Sequence, residues 1–142
     1  MYIHAVAADA TVMTVIAADA KAVAASTETT ADADVINRMK TAVVILNWNT
    51  EGFLRDFLPG LLQSVRNVEG AEVIVADNAS TDGSMTVMKE MFPQVRTIAF
   101  DKNYGFTGGY NRAFEQIDSE YFVLINSDIE VPEDWLGPLV DW

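Results

Sequence analysis

The sequence predicts a doubly wound α/β fold built on a mostly parallel sheet. Two observations carry that reading: four β-branched runs follow one another after residue 40, and a helix-compatible segment separates each from the next. A third is the composition break just before them, which divides the chain into an extension, 1–40, and a folded part, 41–142.

The extension is rich in Ala, Thr and Asp, with "AVAADA", "VIAADA" and "AVAAS" in loose succession and no clear period. Alanine favours a helix over 17–25, whereas the β-branched stretch at 11–16 suits an added strand. The expectation is an accessory segment, frayed or weakly docked.

Residues 41–46, "TAVVIL", suit a strand buried on both faces. Phe53, Leu54, Phe57, Leu58, Leu61, Leu62 and Val65 then recur at helical spacing, and Pro59-Gly60 is expected to kink or break that helix. A second strand is predicted over 72–76, a short helix over 84–91, a third strand over 95–100, a helix over 109–117 and a fourth strand over 121–125. Strands alternating with helices imply right-handed crossovers, and in such sheets ligands bind beyond the carboxyl ends of the strands, at the switch point.

Composition narrows the chemistry. Half of the 142 residues are apolar, enough for one sizeable core. Nine basic residues against 21 acidic ones give a formal net charge of -12, which argues against nucleic acid as a partner. The absence of cysteine excludes disulfides, thiolate zinc sites, iron-sulfur clusters and a cysteine nucleophile. His4 is the only histidine and lies in the extension, where it reads as a solvated residue, so a Ser-His-Asp hydrolase is disfavoured. No apolar run reaches the roughly 18 to 20 residues of a membrane span, and the N-terminus lacks the basic start of a signal peptide.

The ends of the four strands are all polar. They carry Asn47, Trp48 and Asn49, then "DNASTDGS" from Asp77, then "DKNYGFTGGYNR" from Asp101, then "NSDIE" from Asn126. Each is an ordinary set of turn formers by itself, but four converge on one sheet edge. Asp77 can accept from the N–H of a base, Thr81 or Asp82 can cap the next helix, and Gly83 can supply a positive φ. Gly105, Gly108 and Gly109 allow close backbone approach, and the helix start beside them favours phosphate. Their G-x-x-G-G spacing fits neither the dinucleotide fingerprint nor the P-loop. If the backbone stays extended through Ser127, Asn126 and Asp128 share a face, and such a carboxylate suits Mg²⁺ or Mn²⁺ bridging to substrate phosphates; the plainer alternative is a turn aspartate before Pro132.

Taken in order, "VVILNWN", "VIVADNASTDGS", "NYGFTGGYNRAF" and "YFVLINSDIEVPEDWL" resemble the N-terminal half of family 2 glycosyltransferases with the GT-A fold, over 41–142. The first and third look most like a rhamnosyltransferase-like branch. The resemblance implies a nucleotide-diphosphate sugar donor, UDP- or dTDP-linked. Asn47 and Asn49 would line the nucleotide pocket and Asp77 would meet the base. Asn103, Gly105, Gly108 and Asn111 would lie along the ribose and diphosphate. The D-x-D signature falls on Asn126-Ser127-Asp128, which makes Asp128 the ligand of Mn²⁺ or Mg²⁺ and leaves Asn126 where the first acid stands; Glu130 is a further carboxylate nearby.

The implied chemistry is inverting transfer of a sugar to the hydroxyl of a glycan or lipid-linked acceptor, in cell-surface polysaccharide synthesis. The implied location is the cytoplasm, peripheral to the inner face of the membrane. No catalytic base is identifiable: in the family it comes from a later, acceptor-binding half, so the chain reads as a truncated donor half, inactive alone. Self-association through an exposed C-terminal apolar surface at Trp135, Leu136, Leu139 and Trp142 is a corollary. Two other readings stand beside this one. One is a non-catalytic nucleotide-sugar binding module; the other is a nucleotidyltransferase, against which 47–52 offers no cation for a triphosphate.

Overall fold

The computed structural model describes residues 2–8, 11–17 and 39–140. Its strands are β1 (Tyr2–Ala8), β2 (Thr11–Ala17), β3 (Met39–Asn47), β4 (Ala71–Asp77), β5 (Arg96–Ala99) and β6 (Ser119–Ile125). Its helices are α1 (Glu51–Arg66), α2 (Ser84–Met91), α3 (Gly105–Glu115) and α4 (Gly137–Val140). The strands form one sheet in the order β1-β2-β6-β3-β4-β5. Four of them, β6-β3-β4-β5, are parallel to one another. The chain steps outward from β3 through β4 to β5 and then returns to the other side of β3, so the switch point lies between β3 and β6.

Alternation along the central strands explains the two layers. Val43, Ile45, Val73, Val75, Val123 and Ile125 face one core, which α1 and α2 cover with Leu54, Leu58, Leu61, Val65, Val87 and Met88. Ala42, Val44, Ile74, Ala76, Phe122 and Leu124 face the other, covered by Tyr110 and Ala113 of α3. Both faces of the parallel strands are therefore apolar, as the continuous aliphatic runs require.

Three expectations change here. The helix over 53–65 is not broken at Pro59, since α1 runs unbroken through it. Pro59 and Gly60 are exposed, while Leu58 and Leu61 on either side are nearly fully buried. Burying each such leucine yields about 1.5–3 kcal/mol, which together outweighs the roughly 3 kcal/mol cost of an interior proline. The extension also adds two strands: β1 and β2 pair antiparallel, and β2 pairs antiparallel with β6 through Thr14 to Ala17. The β-branched residues at 11–16 decide that segment in favour of strand. The helix suggested over 17–25 lies outside the described residues, apart from Ala17, which ends β2.

The C-terminal apolar patch is the third correction. Leu136 is 1% exposed within the α1 core, and the Trp135 indole N–H donates to the Ser64 hydroxyl at 2.9 Å. The segment after β6 folds back over α1, so Leu136 is covered by the molecule's own core and is not part of an exposed surface. Leu139 is half-buried, and Trp142 lies outside the described residues. No helix among the described residues is long and apolar enough to cross a membrane.

Candidate functional site

β3 and β4 end together. Their last register pair is Asn47 and Asp77, 0% and 2% exposed, at the sheet edge beside the switch point. Polar groups buried this deeply must find partners, and these two find each other. Asn47 Nδ2 donates to Asp77 Oδ1 at 2.7 Å and to Ser80 Oγ at 3.1 Å, while its Oδ1 accepts from the Thr50 hydroxyl. Ser80 is the hub that the sequence motifs did not single out. It donates from Oγ to Asp77 Oδ1 at 2.7 Å and from its amide to Asp77 Oδ2 at 2.9 Å, and its Oγ accepts the Asn49 N–H at 2.9 Å. A serine three residues after a strand-end aspartate is the Asx-type pattern that would have disclosed it.

Asn49 takes a positive φ of 53°, a conformation asparagine tolerates better than most residues. Its Oδ1 accepts from the Thr81 amide at 2.7 Å and the Asp82 amide at 3.2 Å. Asn47, Asn49 and Asp77 are thus brought together, and much of their hydrogen-bonding capacity binds the β3 and β4 loops to each other.

A reciprocal arrangement joins the two helix starts that follow. The Glu51 amide, first in α1, donates to Asp82 Oδ2 at 3.0 Å, and the Gly83 amide, just before α2, donates to Glu51 Oε2 at 3.0 Å. Asp82 Oδ1 also accepts the Ser84 amide at 2.9 Å, while the N-cap position of α2 falls on Gly83, one residue after the expected Asp82. Burial pushes the Asp82 carboxyl up, but hydrogen bonds from Ser84 and from the Glu51 amide outweigh it and hold the group below its ordinary value. Gly83 has φ -80° and supplies no left-handed turn; that conformation falls on Ala79, at φ 61°. What Gly83 offers is space, because a Cβ there would stand 2.5 Å from Glu51 Oε2.

The third strand end is mostly helix. α3 begins at Gly105, four residues earlier than its apolar pattern suggests, because Gly105 adopts φ 74° and its N–H is capped by Asn103 Oδ1 at 2.7 Å. Asn103, Gly105 and Asn111 are exposed and Gly108 is half-buried. Gly109 plays a packing role: a Cβ would lie 2.8 Å from Leu46 Cδ1 and 3.1 Å from Asn78 Nδ2. Next to Asn103, the Arg112 guanidinium lies 3.7 Å from the centroid of the Tyr104 ring, and the Tyr104 hydroxyl donates to Asp101. That bond holds the Asp101 carboxyl below its usual range and the Tyr104 phenol above its own. On the buried side, Tyr110 donates toward the Ile125 carbonyl at 3.4 Å, and burial pushes its phenol up to about 12.

At the fourth end, β6 stops at Ile125 and Ser127-Asp128 form a turn, so the extended geometry that would have aligned Asn126 with Asp128 does not continue. Asn126, Asp128 and Glu130 are exposed. Asn126 and Ser127 border a small pocket with Ile45, Leu54, Phe57 and Ile129. The Asp128 carboxylate makes no hydrogen bond or ion pair among the described residues, where no group of three or more Asp, Glu, His or Cys is placed to cage a cation. A single free, exposed carboxylate fits a Mg²⁺ or Mn²⁺ ion whose other ligands are water and phosphate oxygens. Trp48, 54% exposed, and Phe106, 65% exposed, add apolar surface near the same sheet edge.

Residues 42–142 match the model of glycosyl transferase family 2. The chain belongs to that family. Among curated relatives of this glycosyltransferase chain is the poly(ribitol-phosphate) beta-glucosyltransferase of Bacillus spizizenii, 30% identical over 103 residues, which are 70% of this chain and 16% of that protein. Another is the teichoic acid poly(glycerol phosphate) polymerase of Staphylococcus epidermidis, 26% identical over 98 residues, 65% of this chain and 13% of that one. The chain therefore spans less than a fifth of the length of either. Among solved structures, residues 1–349 of S. aureus TarS in complex with UDP match with a TM-score of 0.62 and 22% identity, over 72% of this chain and 31% of that one. The Pyrobaculum calidifontis mannosyltransferase PcManGT, in complex with GDP-Man and Mn²⁺, matches with a TM-score of 0.64 and 23% identity, over 74% of this chain and 32% of that one. The fold of this family 2 chain is GT-A, as the resemblance of its four motifs implies.

Proposed function

We propose that this chain is the donor-binding part of an inverting glycosyltransferase that uses a UDP- or dTDP-linked sugar and a divalent metal, acting in cell-surface polysaccharide synthesis. The observation that carries the reading is the joined strand ends: the closed network of Asn47, Asp77, Ser80 and Asn49 stands beside the switch point, and the turn after β6, the strand next to β3, carries the exposed carboxylate of Asp128. The UDP in the TarS complex, and the GDP-Man and Mn²⁺ in that of PcManGT, support it by analogy.

In this reading the base lies at the edge that Asn47 and Asp77 close, and the bonds between these two buried side chains hold that edge in shape before the nucleotide arrives. An edge formed in advance loses little entropy on binding. Asn103, just before α3, and Gly105, Gly108 and Asn111 within its first two turns run along the ribose and diphosphate, where a helix N-terminus favours negative charge. Asp128 holds the cation, and the cation, when bound, supplies the positive charge that stabilises the departing diphosphate. Asn126 is neutral where a second acid would stand, so the site adds one fewer negative charge near the phosphates. The acceptor, a glycan or a lipid-linked glycan, is deprotonated by a base that no described residue provides. In this reading the enzyme works in the cytoplasm, peripheral to the inner face of the membrane.

Calorimetric titration of UDP and dTDP, with and without Mn²⁺, into wild type and Asp128→Ala tests this. Metal-dependent binding that the substitution abolishes is the expected result. Binding that is indifferent to Mn²⁺ and to Asp128 would remove the metal from the reading, and no binding of either nucleotide to folded protein would remove the donor.

A further inference from the structure

Asn78 directly follows β4, between the aspartate of the base side and a turn of small residues. It is 3% exposed, and both ends of its amide are used. Nδ2 donates to the Gly105 carbonyl at 3.0 Å, and Oδ1 accepts the Tyr104 N–H at 2.9 Å. Its own backbone N–H donates to the Asn47 carbonyl at 2.8 Å. One residue therefore ties the end of β3, the end of β4 and the start of α3. Only a side chain with one donor and one acceptor at this reach closes both backbone bonds. Gly109 completes the fit, since a Cβ there would lie 3.1 Å from Asn78 Nδ2.

We propose that Asn78 is a positioning residue for the donor, setting where the turn from Asn103 to Gly105 stands relative to Asn47 and Asp77, and so the spacing between the base side and the diphosphate side of a bound nucleotide. The inference rests on the donor-site reading above. Clamping a turn whose Gly105 is already in a left-handed conformation removes its alternatives, so the helix start meets the diphosphate without rearrangement. Asn78→Asp keeps the shape and the acceptor, but sets a carboxylate oxygen against the Gly105 carbonyl and opens the clamp.

The test titrates UDP and dTDP into wild type and Asn78→Asp and compares the tighter diphosphate with its matching nucleoside, the latter followed by NMR shifts at Asp77. Amide hydrogen exchange at Tyr104 and Ile74 is recorded alongside. The expected result is diphosphate affinity lowered about tenfold, the scale of one lost positioned hydrogen bond, with nucleoside affinity unchanged, faster exchange at Tyr104 and unchanged protection at Ile74. If Asn78→Asp does not fold, Asn78→Ser, which is polar but too short to span both backbone groups, carries the same test. A folded variant whose two affinities are both unchanged, or fall together, overturns the inference while leaving the donor site intact. Wild type that binds neither diphosphate overturns the donor-site reading itself, and this inference with it.

Discussion

The side chains of Asn47 and Asp77 meet at 2.7 Å across the final register pair of two parallel strands, with almost no exposure to solvent. A buried carboxylate is costly unless every lone pair it turns inward is matched, and here an amide, a hydroxyl and a backbone N–H match it. The pair holds the edge on which the donor site depends.

Removing either member strands the other. Asn47→Ala and Asp77→Ala are each expected to lower stability by about 2–3 kcal/mol, because a buried polar group is left without its partner. In urea unfolding the double variant should cost less than the sum of the two, with a coupling of about 1–3 kcal/mol. Additive losses would mean that the two side chains do not act as a pair.

The reciprocal caps give a pH signature. Asp82 has its folded pKa lowered, so its contribution is fully present above the ordinary carboxyl value of 3.8 and is lost as pH falls through the depressed folded value. Asp82→Asn should cost about 0.5–1 kcal/mol near neutrality, as an N-terminal charged acceptor weakens to a neutral one. The difference between wild type and variant in urea midpoints should shrink towards zero at the acid end of the range. A difference that grows on acidification would contradict the assignment.

Two glycines separate packing from propensity. Gly109→Ala drives a methyl towards Leu46 and Asn78, and should destabilise by about 1–2 kcal/mol. Gly60→Ala meets nothing within 4 Å on the exposed face of α1 and should stabilise by about 0.5–1 kcal/mol. Thermal melts of the two variants should move in opposite directions.

Much of this fold is legible in the aliphatic runs. Strands at 41–46, 72–76 and 121–125, and the helix at 84–91, are where the pattern puts them, because parallel strands buried on both faces need continuous β-branched residues. Pro59 misleads, since a local penalty is set against the burial of Leu58 and Leu61 on either side, which only the tertiary structure supplies. Leu136 misleads likewise: an apolar residue near the last position of the sequence reads as exposed until the chain is seen folding back on α1. At the site, the types of residue at each strand end are plain in the sequence, but not their partners. Ser80 and Asn78 look like turn residues, and only their distances to Asp77, Asn49 and Gly105 reveal the network and the clamp.

The free Asp128 carboxylate makes the metal claim separable from stability. Asp128→Ala removes no hydrogen bond or ion pair among the described residues and should leave the unfolding midpoint within about 0.5 kcal/mol of wild type, while Mn²⁺-dependent nucleotide binding is lost. A large loss of stability in a urea titration would show a structural role instead.

The most direct measurement is paramagnetic mapping: amide NMR spectra of the protein with UDP or dTDP, recorded as Mn²⁺ is added in small increments. The account predicts that signals from Asn126 to Glu130 broaden first, and that the nucleotide shifts Asn47, Asp77 and Gly105 in the same titration. Broadening centred elsewhere, or nucleotide shifts that avoid the ends of β3 and β4, would contradict the claim that donor and cation meet at this sheet edge.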